Sequence, residues 1–438
     1  MLLGTQRINA QGHLEVGGCD TVALARRFGT PLYVMDEALL RANCRAYRRA
    51  FAERYSDNEV LYAGKAFLCT AMCALLHQEG IGLDVASAGE LRTALAAGFP
   101  PERVFVHGNF KSRPELEAAL AARVRRIIVD SEYELEELAA VAREGGRVAD
   151  ILLRVTPGID PHTHRLIRTG QEDTKFGIAI QCGQAARVIA RALEMPSVRV
   201  RGIHFHVGSQ LLDLEAHQAA IRIGVDLLAR LRADLGFEAS ELNIGGGLGI
   251  RYLPSHEPPS ISSYADRVVG TLDAALARHG LPRPRLLQEP GRSIVGEAGL
   301  TLYTVGPVKE IPGVRTHVAV DGGLSDNPRP ALYEARYEVI IANKAAHPAD
   351  RVVTVSGKHC ETDTLFADVS VAAGIAPGDV LAVQSTGAYN YSMASNYNRF
   401  AHPAVVLVND GQADVIVERQ TVDDLVRQDV VPDRLRIQ

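Results

Sequence analysis

Residues 59–66 read EVLYAGKA. Val60 to Ala63 have strand character, Gly64 breaks the run, and Ala66-Phe67-Leu68 opens a helical stretch just after Lys65. Strand, turn and helix in so few residues make one βα unit, and the unit recurs. Short apolar strands are expected at 59–64, 81–85, 103–107, 126–129, 150–155, 201–206, 241–245 and 285–289. Between them lie alanine-rich amphipathic stretches at 88–97, 113–123, 131–143, 183–194, 214–235 and 261–279. The first four strands start 22 or 23 residues apart. Eight strands alternating with helices is the pattern of an α/β fold of the (β/α)8 TIM-barrel type. A doubly wound open sheet also alternates, and the spacing favours the barrel.

After residue 293 the texture changes to valine-rich alternation at 301–308, 316–323, 351–357, 379–385, 404–411 and 413–419. Asn409-Asp410-Gly411 carries a hairpin signal, so a second, mostly antiparallel β domain is expected. Thr30 to Val34 reads as an extended segment leading into a helix from Asp36 to Tyr55. Three parts follow: 1–34 joining the β domain, a barrel over 35–292, and the β domain over 293–438.

The bulk composition narrows the function. A chain of 438 residues with 47% apolar and 23% charged residues is ordinary for a globular protein of two or three domains. A net charge of −5 gives no footprint for nucleic acid or an anionic membrane. No apolar run is long enough to span a bilayer, and the N-terminus lacks the features of a secretion signal. Cysteines 19, 44, 69, 73, 182 and 360 are scattered, which fits a reducing cytoplasm rather than a disulfide framework. Cys69 and Cys73 share a helix face, but no further ligand stands at metal spacing, so packing is the expected role.

Lys65 stands out chemically. Of 47 basic residues only six are lysines, leaving 41 arginines. An amine at the end of a buried strand, where burial lowers its pKa, is a nucleophile able to form a Schiff base; guanidinium cannot do this. A snorkelling strand-end lysine is the plain alternative. Further polar residues fall just past the expected strand ends, where a barrel carries its active site. Asp84 ends strand two, His107 and Asn109 strand three, and His206 strand six, while Arg154 lies in strand five. Gly245-Gly246-Gly247 follows strand seven and Glu289-Pro290-Gly291-Arg292 strand eight. Each has a structural reading alone, as core histidine or turn glycine, but a whole rim of them is hard to attribute to packing. The glycine amides could cradle an anion at the loop where barrels bind phosphate. A nucleophilic lysine, a phosphate cradle and a carboxylate suit pyridoxal 5'-phosphate, whose pyridinium needs an acidic partner, with His206 free to stack on the ring.

The same residues carry a resemblance. YAGKAFLCTAM, GLDVASAGEL, HTHRLIRTGQEDTKFGI, IHFHVGSQ, LNIGGGLGIRY, EPGRSIVGEAG, VAVDGGLSDNPRPALYEARYE, GKHCETDTLF and TGAYNYSMASNYNRF follow one another between about residues 30 and 425. The chain resembles the diaminopimelate decarboxylases, fold-type III pyridoxal-phosphate enzymes grouped with ornithine and arginine decarboxylases and alanine racemase. The resemblance implies the alanine racemase-like architecture of barrel plus β domain, a cytoplasmic homodimer with shared active sites, and no metal. It implies that Lys65 holds the cofactor and His206 stacks on its ring. Ser209, Gly245 to Gly247 and Tyr389 match phosphate-side positions, and Glu289 the pyridinium partner. Asp84 and Gly291 join the cofactor set, and Arg292 lies near both phosphate and substrate. Arg329 and Tyr333, with Tyr389, match residues on the substrate side. Cys360 and Glu361 match a pair supplied by the partner subunit, a proton donor and a holder of the distal amine.

The implied reaction takes meso-2,6-diaminopimelate to L-lysine and CO2, the last step of lysine biosynthesis. The chemistry agrees. A second amino-acid end needs a guanidinium for its carboxylate and a carboxylate for its ammonium, whereas ornithine would leave Arg329 unpaired. Two positions depart from the family: residues 360–364 read CETDT where Cys-Glu-Ser-Gly-Asp is usual, and Phe205 replaces a frequent cysteine. His162 and His164 look like a metal pair but match a loop without a metal role. The alternatives are a same-fold decarboxylase of another diamino or modified amino acid, and a catalytically silent regulatory homologue.

Overall fold

A computed structural model describes residues 1–159, 174–362 and 364–437. His162, His164 and Asp363 lie outside the described residues. The chain forms two compact units, Leu40–Gly296 and Met1–Leu39 with Glu297–Gln438.

The first unit is a closed barrel of eight parallel strands: β1 (Asn58–Ala63), β2 (Gly82–Val85), β3 (Val104–Val106), β4 (Arg126–Val129), β5 (Ala149–Thr156), β6 (Val198–His204), β7 (Glu241–Asn243) and β8 (Arg285–Gln288). Each pairs with the next, and β8 closes on β1, with Leu286 opposite Asn58 and Gln288 opposite Val60. The eight expected strands are all present. A short strand, Ile178–Ala179, pairs with the end of β5. Leu61, Phe105, Ile128, Leu152 and Leu287 form a buried apolar cluster of β1, β3, β4, β5 and β8 residues. Strands buried on both faces need such continuous apolar runs.

The helices between strands begin and end where local chemistry dictates. Ser87, Ser131 and Ser260 accept backbone N–H groups as N-caps of Ala88–Ala96, Glu132–Glu144 and Ile261–His279. Ser112 and Glu115 form a reciprocal capping box for Arg113–Ala122. Gly236 and Gly280, at φ +64° and +60°, end the two longest helices. No helix among the described residues is long and apolar enough to cross a membrane.

The second unit is a mostly antiparallel sheet. In space its strands run Thr364–Val371, Arg351–Ser356, Arg315–Val320, Gly299–Ile311, Leu32–Asp36, Ala404–Asn409 and Gln412–Val417. Val380–Val383 pairs with both Gly299–Ile311 and Val339–Ile341. Two contacts are parallel: His317–Ala319 with Thr354–Ser356, and Leu32–Asp36 with Ala404–Val408. The hairpin at Asn409-Asp410-Gly411 forms with Asp410 and Gly411 both at positive φ, the geometry that matches strand twist. Leu32, Val34, Leu300, Leu302, Ala382, Val406 and Val408 build its core.

Candidate active site

The carboxyl ends of the barrel strands carry a buried polar cluster centred on Glu289. The residue stands one position beyond β8, before Pro290 and Gly291 turn the chain into the helix Arg292–Val295. Asn243, the last residue of β7, donates from Nδ2 to Glu289 Oε1 at 2.6 Å. His204, the last residue of β6, places Nε2 3.2 Å from Oε2. His107 Nε2, just past β3, lies 2.9 Å from Oε1, off the line of a hydrogen bond, and 3.6 Å from Asp84 Oδ1. Burial alone would push the Glu289 carboxyl up, but its contacts with His107 and His204 outweigh that and hold it well below the usual range. Burial pulls His204 down to about 4, against the opposing charge of Glu289. Asp84 behaves oppositely. Burial, opposed by His107 and assisted by Glu289, pushes it up to about 7. Two carboxyl groups in one mouth are thereby driven apart, the pattern that separates an ionised anchor from a group able to hold a proton near neutrality.

His204 and His206 alternate with Phe205 along β6, so both imidazoles belong to one face of the strand line. His206 is half-buried, and its Nδ1 accepts the Gly246 N–H at 3.3 Å, which leaves the ring proton on Nε2. Burial first, then the charges of Lys65 and Arg154, pull His206 well below its ordinary value and keep the ring neutral. Arg154 itself is buried, 3.6 Å from Asp130 and 4.3 Å above the Phe176 ring.

The glycine loop has a steric origin. A Cβ on Gly246 would stand 2.1 Å from the Glu289 carbonyl oxygen, and Gly245 and Gly247 hold φ of +68° and +125°. Two of its amides are already used: Gly245 donates to Asn243 Oδ1 at 2.9 Å, and Gly246 to His206. The loop therefore fixes Asn243 and His206, and these two amides are not free to cradle an anion. It is braced from outside. Leu211 N–H donates to Gly247 O at 3.0 Å, and Gln210 makes a two-way amide contact with Ile250, donating at 2.8 Å and accepting at 3.2 Å. Buried His217 lies 3.1 Å from the Gly246 carbonyl. Arg292, buried, donates to Ser209 Oγ at 3.3 and 3.1 Å and to the Tyr252 hydroxyl.

Lys65 departs from the expectation of burial. The strand is buried through Ala63, and Gly64 and Ala66 are buried too, but the Lys65 side chain is exposed. The cause is position: the residue lies in the short 3-10 turn beyond β1, on the rim rather than in the strand. Its charge is felt by Asp84, Glu90 and His206, which puts the amine over the same mouth.

The remaining sequence candidates lie in the sheet unit. Arg329, buried at the start of the helix Arg329–Tyr333, donates to Tyr337 OH at 2.8 Å and lies 5.7 Å from the Tyr333 ring centre. Cys360 and Glu361 are exposed. The Cys360 amide donates to Asn398 Oδ1 at 3.0 Å, and the Tyr397 hydroxyl to Glu361. His359 stacks on Tyr397 and accepts the Ser325 N–H at 3.3 Å. Ser325 O in turn accepts from Ser395 N–H at 2.8 Å. Three separated stretches, 322–329, 357–361 and 395–400, are thus stitched together. Tyr389 is half-buried at φ +63°.

Sequence reading missed His204, Asn243, Gln210 and His217. The IHFH alternation held the signal for His204, because residues two apart on a strand share a face. Asn243 was visible as a lone amide in an apolar strand. Gln210 and His217 support the loop from outside and gave no local signal. His204 and His217 also set an acid limit on stability. Burial lowers both to about 4 from 6.5. Their contribution is present above pH 6.5 and is lost as pH falls towards 4, at most about 3 kcal/mol each. Replacing His217 by Gln is expected to flatten the fall in Tm between pH 7 and 5, and an unchanged slope would remove His217 from this role.

Comparison with known proteins places the chain in a family. Residues 37–296 match the family described as pyridoxal-dependent decarboxylase, pyridoxal binding domain. The diaminopimelate decarboxylase of Bacillus subtilis (strain 168) is 46% identical over 430 residues, 98% of each chain. That of Synechocystis is 45% identical, covering 98% of this chain and 93% of the relative. Among solved structures, diaminopimelate decarboxylase from M. jannaschii in complex with L-lysine superposes with a TM-score of 0.93 at 36% identity, covering 99% of this chain and 100% of that one. At 46% identity over 98% of both chains, the chain belongs to the diaminopimelate decarboxylases.

Proposed function

We propose that this chain is a carboxy-lyase that converts meso-2,6-diaminopimelate to L-lysine and CO2, using pyridoxal 5'-phosphate at the barrel mouth. The observation that carries the reading is Glu289, a buried carboxylate kept ionised by His107 and His204 and aimed by Asn243. The site fits the cofactor. An ionised Glu289, aimed by Asn243, suits a ring nitrogen that must stay protonated. When bound, the cofactor supplies an electron-poor ring that accepts the electron pair left by the departing carboxylate.

The chain's own residues do the rest. The Lys65 amine is the covalent attachment point, reachable because its side chain is exposed at the rim. His206 presents a neutral ring face, and its hydrogen bond from Gly246 fixes the ring plane. Ser209, Gly291, Arg292 and Tyr389 serve the phosphate side, and Asp84 the cofactor rim. Arg329, Tyr333 and Glu361 grip the distal amino-acid end, with Arg292 and Tyr389 also facing substrate. Cys360 gives the proton to the carbon that loses CO2. Both Cys360 and Glu361 are exposed, which suits delivery to a second copy of the chain in a homodimer. Six free cysteines suit a cytoplasmic setting.

The test is a substrate panel. Protein loaded with cofactor is incubated with meso-diaminopimelate, ornithine, arginine or lysine, and CO2 and product are measured. Lysine formed from meso-diaminopimelate alone is expected. Turnover of another amino acid instead would favour a same-fold decarboxylase of different specificity, and no turnover despite bound cofactor a silent homologue. Cys360→Ala is expected to lower kcat about 10²-fold or more while cofactor binding persists, the scale of a lost proton donor. Unchanged kcat would remove Cys360 from that role.

A further inference from the structure

The opposite end of the barrel carries a second concentration of charge. Arg45, Arg48 and Arg49 from the last turns of the helix Glu37–Ala52 face Arg103, Arg125 and Arg285, which immediately precede or open β3, β4 and β8. These six guanidinium groups line one cavity of about 730 Å³, against two carboxylates, Glu59 and Glu102. The concentration runs against the negative charge of the whole chain.

Internal pairing leaves much of this charge uncompensated. Arg45 is matched by Glu79 through two contacts of 2.8 Å. Glu59 is shared among three arginines, at 2.9 Å from Arg285, 3.7 Å from Arg103 and 3.9 Å from Arg125, with Asp57 also 3.8 Å from Arg285 and Glu241 3.9 Å from Arg125. Arg48 donates to the Glu79 carbonyl at 2.9 Å and Arg103 to the Gly80 carbonyl at 2.7 Å, so their partners are neutral or distant. Arg49 makes no ion pair among the described residues. A second observation is independent of the count. The Nε atoms of Arg125 and Arg285 are both buried with no hydrogen-bond partner, the carboxylates of Glu59 and Asp57 standing off at 3.9 and 3.8 Å, and a buried donor on a charged group without a hydrogen bond is costly.

The catalytic mouth is not the same place. The cavity opens at the amino ends of the strands, and the six residues of β1 alone span about 20 Å. Leu61, Phe105, Ile128, Leu152 and Leu287 form an apolar layer between the ends.

We propose that this arginine cavity is a binding site for a small polyanion carrying two or more linked phosphate groups. Guanidinium forks match phosphate oxygens in pairs, and one anion bridging the helix arginines and the strand-end arginines would satisfy several donors together. No aromatic side chain lines the cavity among the described residues, so the phosphates and not an attached base are recognised. The site stands apart from the proposed reaction and does not depend on it.

The experiment uses cofactor-loaded protein and inorganic tripolyphosphate, titrated calorimetrically at about 0.15 M salt, where charges on open surface are largely screened. One tripolyphosphate per chain is expected, bound at least tenfold more tightly than orthophosphate. ATP is expected to bind within about threefold of tripolyphosphate. Arg48→Gln with Arg49→Gln is expected to weaken binding tenfold or more with the circular dichroism spectrum unchanged. Should those arginines prove necessary for folding, Arg49→Gln alone, at an exposed position, still has to weaken binding. Absence of saturable binding, binding unaffected by these variants, or binding lost instead in Arg292→Gln at the other mouth overturns the proposal.

Discussion

Replacing Lys65 by alanine is expected to abolish lysine formation, lowering kcat by about 10⁴-fold or more, the scale felt when a covalent catalyst is removed. The visible absorbance of the lysine-bound cofactor is expected to disappear with it. The structure makes this substitution unusually clean. Lys65 is exposed and its neighbours Gly64 and Ala66 supply the buried contacts of the turn. Truncation should therefore change stability by no more than about 0.5 kcal/mol, as at other exposed positions. A folded variant with the same melting temperature and no turnover would isolate the amine's chemistry. An unchanged spectrum, or kcat within tenfold of the parent, would sink the assignment.

Glu289→Gln has the second largest expected effect. Glutamine keeps the shape and an oxygen for Asn243 Nδ2, now 2.6 Å away, but removes the charge. We expect kcat to fall about 10²- to 10³-fold, as when a preorganised electrostatic group is lost, with substrate KM changed far less. Two titrations should move with it. The negative charge of Glu289 raises both Asp84 and His204 in the parent, so both are expected to titrate lower in the variant. For Asp84, pushed up to about 7 in the parent, the corresponding limb of the pH–rate profile should shift to lower pH. His204 can be followed by NMR of its imidazole, since it would stay neutral further into acid. A kcat within threefold of the parent would mean that the charge of Glu289 does not serve the reaction.

The barrel was legible because a parallel strand buried on both faces reads as a largely apolar run, and EVLYAG, IGLDV and RIIV are such runs between amphipathic helices, broken only by Glu59, Asp84 and Arg126. The sheet unit was less so. Thr364–Val371 forms an eight-residue strand, but it begins on the last residue of the CETDT stretch, and only its pairing with Arg351–Ser356 reveals the register. The site divides in the same manner. Residues at strand ends, such as Lys65, Asp84, His206 and Glu289, follow from the rule that barrels work at their carboxyl rim. His204 and Asn243 act by gripping another side chain, and a sequence does not show which side chain a given residue will meet. The exposure of Lys65 was hidden for a related reason: one turn of 3-10 helix carries it out of the strand, and no composition rule marks where a strand stops.

The strand Leu32–Asp36 sits between Gly299–Ile311 and Ala404–Asn409. During synthesis its first neighbour leaves the ribosome more than 260 residues later and its second more than 360 residues later. All eight barrel strands, in contrast, are complete by Gln288. The nascent chain thus has an order imposed on it: the barrel is free to close while the sheet waits with one strand unpaired. That strand, LYVMD, is almost wholly apolar, and an unpaired apolar edge held open for so long is where aggregation competes with folding. Solubility during expression should accordingly respond to charge placed near residues 32–36.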